Sequence, residues 1–131
     1  MTNKRKRVIL AKVGLDGHDN GIRIVSKWLM DGGYEVVYAG LYNTPERVIQ
    51  MAVEENADAI GVSFQGGGHI HYGRTFMKLL REKQMSEVKL LMGGVIPPMD
   101  VDELNKIGVH AVFTPGTRRE VMLSRIAAIL K

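Results

Sequence analysis

A strict alternation of two sequence patterns constrains this chain more than any other feature. Short apolar runs, the first of them rich in β-branched residues, occupy positions 8–13, 34–39, 59–64, 88–92 and 111–113, and the stretches between them place apolar residues at the helical period. Runs of this kind mark strands buried on both faces. Strands that alternate with helices across short connections run parallel, with helices covering both faces of the sheet, and right-handed crossovers leave few topologies. The predicted class is α/β, a flavodoxin-like (Rossmann-type) five-stranded parallel sheet in the order 2-1-3-4-5.

The helical stretches carry their own start and stop signals. From Gly21, the apolar residues Ile22, Val25, Trp28 and Leu29 form a predicted buried stripe that Gly32-Gly33 terminates. Thr44-Pro45 joins an N-cap residue to a proline at the first helical position, with Val48, Ile49, Ala52 and Val53 as the expected buried face. Further helices are expected near 72–83, 101–107 and 117–130, the last capped by Thr117. A chain of 131 residues is of single-domain length, and 45% hydrophobic with 24% charged residues is enough for one packed core. One domain over 1–131 is expected, opening with a basic tail at 1–6.

Composition removes several classes of function. With no cysteine there is no disulfide, thiolate metal site, iron–sulfur cluster or cysteine nucleophile, which leaves histidine as the soft ligand. No apolar run approaches the ~18 residues of a membrane span, and no signal-like apolar segment follows the basic start, so a cytoplasmic protein is expected. The net charge of +4 gathers at Lys4, Arg5, Lys6 and Arg7, which read as a solvated lead-in to the first strand. With 6% aromatic residues and dispersed remaining charge, the chain does not read as a nucleic-acid binder.

In parallel sheets of this order, ligands bind beyond the carboxyl ends of the strands, at the switch point between the first and third. The predicted loop after the first strand reads Gly14-Leu15-Asp16-Gly17-His18-Asp19-Asn20-Gly21. A histidine that gives one ring nitrogen to a metal usually donates its other N–H to a carboxylate, which fixes the tautomer and raises the ligand's basicity. Asp16 is placed to do this for His18; an ordinary strand-to-helix turn is the bland alternative. The glycines let the backbone approach something bulky. The third strand is followed by Gln65-Gly66-Gly67-Gly68-His69, the fourth by Gly93-Gly94-Val95-Ile96-Pro97-Pro98, and the fifth by Pro115-Gly116-Thr117. Glycines on adjacent strands remove side chains along one edge and carve a slot. Ser63 offers a hydroxyl at its rim, either to a ring nitrogen or to backbone, and Thr117 faces the same end.

Taken together these motifs resemble the cobalamin-binding domain of the adenosylcobalamin-dependent acyl-CoA mutases, such as methylmalonyl-CoA mutase, and the separate small subunits of related mutases. The likeness runs from Val8 to the C-terminus through Asp16-x-His18-x-x-Gly21, Thr44-Pro45-Glu46, Gly61-Val62-Ser63, Gly93-Gly94 with Ile96-Pro97, and Pro115-Gly116-Thr117. The resemblance implies that His18 replaces the cofactor's dimethylbenzimidazole as the lower axial ligand of cobalt, with cobalamin bound base-off and Asp16 on the far ring nitrogen. Lys12 would tune that pair, unless it is a strand-end residue reaching solvent. The displaced nucleotide tail would enter the slot, with Ser63 at the benzimidazole and Gly61, Gly67, Gly93 and Gly94 offering bare backbone. Gly17, Asp19, Gly21, Gln65, Gly116 and Thr117 complete the implied cofactor-binding set. The chain departs from the family pattern at Gln65, where leucine is usual, at Gly66 and Gly68, in place of Ser and Ala, and at Asn20, where arginine is frequent. His69 either faces the corrin or packs; His71 reads as a surface residue and His110 as lying at the far end of the sheet.

No residue set for handling a CoA thioester is evident. In the resembled enzymes a large (β/α)8-barrel subunit supplies that pocket. The implied function is the small subunit of a two-component isomerase acting on an acyl-CoA such as methylmalonyl-, isobutyryl- or 2-hydroxyisobutyryl-CoA, with no catalytic residue of its own beyond cofactor ligation. A corrinoid carrier for methyl transfer shares the axial histidine but usually adds a helical segment before the first strand. A signalling receiver domain needs an aspartate at the end of the third strand, where this chain has Ser63-Phe64-Gln65. A zinc hydrolase built on His18, His69 and His71 has no use for the glycine slot.

Overall fold

The computed structural model describes residues 5–15, 17 and 20–130. In chain order these form β1 (Arg7–Val13), α1 (Asn20–Asp31), β2 (Glu35–Asn43), α2 (Pro45–Glu54), β3 (Ala59–Phe64), α3 (His69–Glu82), β4 (Lys89–Gly94), α4 (Val101–Ile107), β5 (Ala111–Phe113) and α5 (Arg119–Ile129). A single 3-10 turn, Pro98–Asp100, leads into α4. Every strand pair is parallel and the order is β2-β1-β3-β4-β5, the flavodoxin-like arrangement read from the alternation.

The period of two in the strands sorts the core into two layers. Ile9, Ala11, Ile60 and Val62 pack on one side of the sheet with Phe76 and Leu80 of α3, Ile49 of α2 and Leu104 of α4. Val8, Leu10, Ala59, Leu91 and Phe113 pack on the other with Ile22 and Leu29 of α1 and Met122 and Ile126 of α5. Each of the larger side chains among these contributes about 1.5–3 kcal/mol when fully buried, so the sheet is held from both faces.

Several boundaries and exposures differ from the sequence reading. β2 runs four residues past Ala39, because the Asn43 amide donates to the carbonyls of Lys12 (3.0 Å) and Gly40 (2.8 Å) while Gly14 N–H donates to Asn43 O (3.0 Å). These bonds tie a polar strand end to β1. α3 starts at His69, three residues early, since Gly68 at φ +85° turns the chain and its carbonyl accepts from Tyr72 N–H at 2.9 Å. Thr117 does not cap α5; Arg118 holds that position. The Thr117 hydroxyl donates instead to Thr114 O at 2.7 Å. Val53 is 51% exposed, because one residue beyond Ala52 the helix has turned past the sheet. Val25 and Trp28 are only half-buried. Arg7 is no part of a solvated tail: it opens β1 and pairs with Glu35 at 2.6 Å across to β2.

Candidate functional site

The loops at the carboxyl ends of the strands enclose a slot of about 340 Å³ bounded by β3, β4, α1 and the segment from Phe113 to Thr117. Of the residues expected to hold a cofactor, the structure brings Gly21, Gly61, Ser63, Gln65, Gly93, Gly94, Gly116 and Thr117 together on this slot. No charged side chain is among its described lining residues. Two of the glycines have distinct reasons. A Cβ at Gly61 would lie 2.7 Å from Leu10 Cδ2, so a side chain there competes with the slot wall. Gly94 has φ +99°, and a Cβ there would collide with the Phe64 carbonyl oxygen and come within 2.8 Å of Phe64 N. Phe64 and Gly94 are register partners at the ends of β3 and β4, so close strand approach by itself demands this glycine.

Sequence reasoning missed the slot's apolar floor. Ile24, Val25 and Trp28 of α1 line it, opposite Phe113 and Met122. This is why Val25 and Trp28 are half-buried: the stripe faces a cavity as well as a core. Ile24, 51% exposed on the edge of that stripe, was the available signal, because an apolar residue just outside a buried face widens it in one direction.

A second depression, of about 280 Å³, lies between the β1–α1 and β3–α3 loops and is lined by Val13, Gly14, Leu15, Gly17, Gly66, Gly67 and Tyr72. Gly17 and Gly67 therefore sit here rather than on the slot. Two tyrosines bracket the β1–α1 loop. A Cβ at Gly14 would come within 2.6 Å of the Tyr72 hydroxyl, and one at Gly17 within 2.8 Å of the Tyr42 hydroxyl. No local pattern announces either contact, because both depend on how elements far apart in sequence meet. Asp16, His18 and Asp19 lie outside the described residues.

Lys12, at the loop end of β1, is fully buried and does not reach solvent, which removes the bland reading of that residue. The other histidines separate clearly. His69 is buried and its Nε2 lies 2.7 Å from Asp100 Oδ2, while its ring meets Phe64 edge-on. His71 is exposed on α3 and packs edge-on against Tyr72. His110 is at the opposite end of the sheet, where its Nδ1 accepts from Leu90 N–H at 2.9 Å and burial, with Lys89 nearby, lowers its pKa. His69 is thus committed to Asp100, and among the described residues no group of three His, Asp or Glu could hold a metal.

With this geometry in place, the comparison that decides the family is the match of residues 6–123 to the model described as "B12 binding domain". The chain belongs to the B12-binding domain family. Within it, the chain is 38% identical over 124 residues to the 2-hydroxyisobutanoyl-CoA mutase small subunit of Aquincola tertiaricarbonis, covering 95% of this chain and 91% of that protein. It is 37% identical over 123 residues to the pivalyl-CoA mutase small subunit of Xanthobacter autotrophicus, covering 94% and 82% respectively. Among solved structures, a cobalamin-binding protein from Desulfitobacterium hafniense superposes with a TM-score of 0.83 at 21% identity over 98% of this chain and 60% of that one, a likeness of fold. The B12-binding domain here contains no helix, among the described residues, that is long and apolar enough to cross a membrane.

Proposed function

We propose that this chain is the cobalamin-binding small subunit of a two-component adenosylcobalamin-dependent acyl-CoA mutase and that it holds the cofactor base-off, with His18 as the lower axial ligand of cobalt. The observation that carries this reading is the glycine-walled slot beside the β1–α1 loop. Its floor is apolar and uncharged, its rim offers the Ser63 hydroxyl, the Gln65 amide and, as an acceptor only, the Thr117 hydroxyl that donates to Thr114 O, and bare backbone at Gly61 and Gly93 admits a flat group. Those features fit a neutral aromatic base with a polar tail, because apolar pockets with a few placed polar groups bind by burial and orient by hydrogen bonding. Asp16 is the carboxylate that fixes the His18 tautomer, and buried Lys12 closes the strand end behind the loop.

When bound, adenosylcobalamin supplies homolysis of its cobalt–carbon bond, while the protein holds and orients it. The chain's own part is to take the nucleotide tail into the slot and present the corrin at the carboxyl edge, where a large CoA-binding subunit brings the substrate. In this reading the slot takes the cofactor's nucleotide tail, so the acyl-CoA belongs to that larger partner. The relatives named for 2-hydroxyisobutanoyl-CoA and pivalyl-CoA mutation support a short branched acyl group. The test is a titration of the purified chain, alone and with its large subunit, with adenosylcobalamin. A visible spectrum of the base-off, histidine-ligated form that is lost in His18→Ala supports the reading, and no cobalamin binding even with the large subunit sinks it.

A further inference from the structure

His69 and Asp100 form a polar pair that the cofactor reading leaves unused. His69 is 7% exposed, its Nε2 is 2.7 Å from Asp100 Oδ2, and its Nδ1 is buried with no hydrogen-bond partner. Such an arrangement is costly. A buried polar atom without a partner costs about 1–3 kcal/mol, and an apolar pair of similar volume would avoid that penalty. Asp100 also forgoes a common use: it stands at the N-cap of α4 yet makes no side-chain cap bond there, its carboxylate being turned to His69.

The position of the pair explains what the contact does. His69 is the first residue of α3, directly after the glycine run whose Gln65 lines the slot and whose Gly66 and Gly67 line the second depression. Asp100 ends the 3-10 turn of the β4–α4 connection, which begins with the slot residue Val95 directly after Gly94. Gly67 and Gly68 have φ of +94° and +85°, and a Cβ at Gly66 or Gly67 would meet nothing within 4 Å, while one at Gly68 would meet the Tyr72 ring at 3.4 Å. Val95 N–H donating to Phe64 O at 2.6 Å joins the two strand ends, and the bond from His69 to Asp100 joins the far end of the glycine run to the β4–α4 connection. We infer that the His69–Asp100 pair is a positioning device that sets the spacing of the two loops forming the slot mouth, and so tunes affinity for the cobalamin tail. The inference rests on the proposed cobalamin site.

Its test is cobalamin affinity and thermal stability measured side by side on the intact chain with its large subunit. His69→Gln keeps a nitrogen donor at the reach of Nε2, whereas His69→Asn carries one only at the reach of Nδ1. A hydrogen bond to a charged group is worth enough that losing it loosens the cofactor about 10-fold. We expect that loss in His69→Asn and Asp100→Ala, no further loss in the double variant, and recovery to within about 2-fold of wild type in His69→Gln. Unchanged affinity in all variants overturns the inference, as does a double variant whose loss is the product of the single ones, or His69→Gln binding no better than His69→Asn. If Asp100→Ala fails to fold, the contrast between Gln and Asn at 69 decides alone. Wild type that binds no cobalamin would instead defeat the functional proposal.

Discussion

Adjacent glycines at the end of β4 should respond oppositely to the same substitution. Gly94→Ala forces an L side chain into φ +99° and drives a methyl into the Phe64 carbonyl, with Phe64 N at 2.8 Å and Phe64 C at 3.0 Å. The conformational part costs about 1–2 kcal/mol and the overpacking about 1–3 kcal/mol, because the obstacle is backbone that cannot rotate away. The sum of about 2–5 kcal/mol is a large share of a typical domain stability of about 5–15 kcal/mol, and at roughly 4 °C per kcal/mol it lowers Tm by about 8–20 °C. Gly93→Ala meets only Phe113 O at 3.4 Å and Phe113 Cβ at 3.6 Å, ordinary contact. It should keep or raise Tm slightly, since alanine narrows the unfolded ensemble, by about 0.4–1 kcal/mol. Its methyl takes space in the slot wall, so adenosylcobalamin binding should weaken about 10-fold, the equivalent of roughly 1.4 kcal/mol of overpacking. Gly116→Ala, at φ +87° with open space around its Cβ, separates strain from collision and should lose about 1–2 kcal/mol only. Thermal melts and cofactor titrations on the three variants check this. Equal melting of Gly94→Ala and Gly116→Ala would refute the collision argument, and wild-type cofactor affinity in Gly93→Ala would remove that glycine from the slot wall.

Replacing His18 by Ala should abolish the histidine-ligated cobalamin spectrum without shifting Tm, and Asp16→Asn should weaken binding or turnover about 10 to 100-fold, as loss of an orienting carboxylate typically does; absorbance titration reads both. The chain with adenosylcobalamin alone should turn over no acyl-CoA and gain activity only when the large subunit is added, and any turnover without it would contradict the division of labour proposed above. His110 should make stability pH-dependent. Burial lowers its folded pKa below the unfolded value near 6.5, so its contribution is complete above about pH 6.5 and is lost as pH falls from there through the folded value. His110→Asn, which keeps an acceptor for Leu90 N–H, should flatten that slope in denaturant melts between about pH 5 and 7.5; an unchanged slope would assign the dependence elsewhere.

The sequence by itself determined the architecture, because the information is local and repeated. Ala59–Phe64 and Ala111–Phe113 coincide with their apolar runs, and Thr44-Pro45 starts α2 with the Thr44 hydroxyl accepting from Arg47 N–H. Alternation then dictated the parallel sheet, and the glycines after β3 and within β4 marked where its ligand edge lies. Tertiary structure decided what those glycines are for. It separated Gly17 and Gly67 from the slot, gave Gly94 to strand approach, turned Thr117 toward Thr114, and buried Lys12. It also supplied the floor from α1 and α5, the tyrosines around the β1–α1 loop and the His69–Asp100 tether, all made by residues far apart in the chain. The physical reason is range: a period or a cap is set by residues within a turn or two, whereas the width of a slot is set by where several elements come to rest against one another.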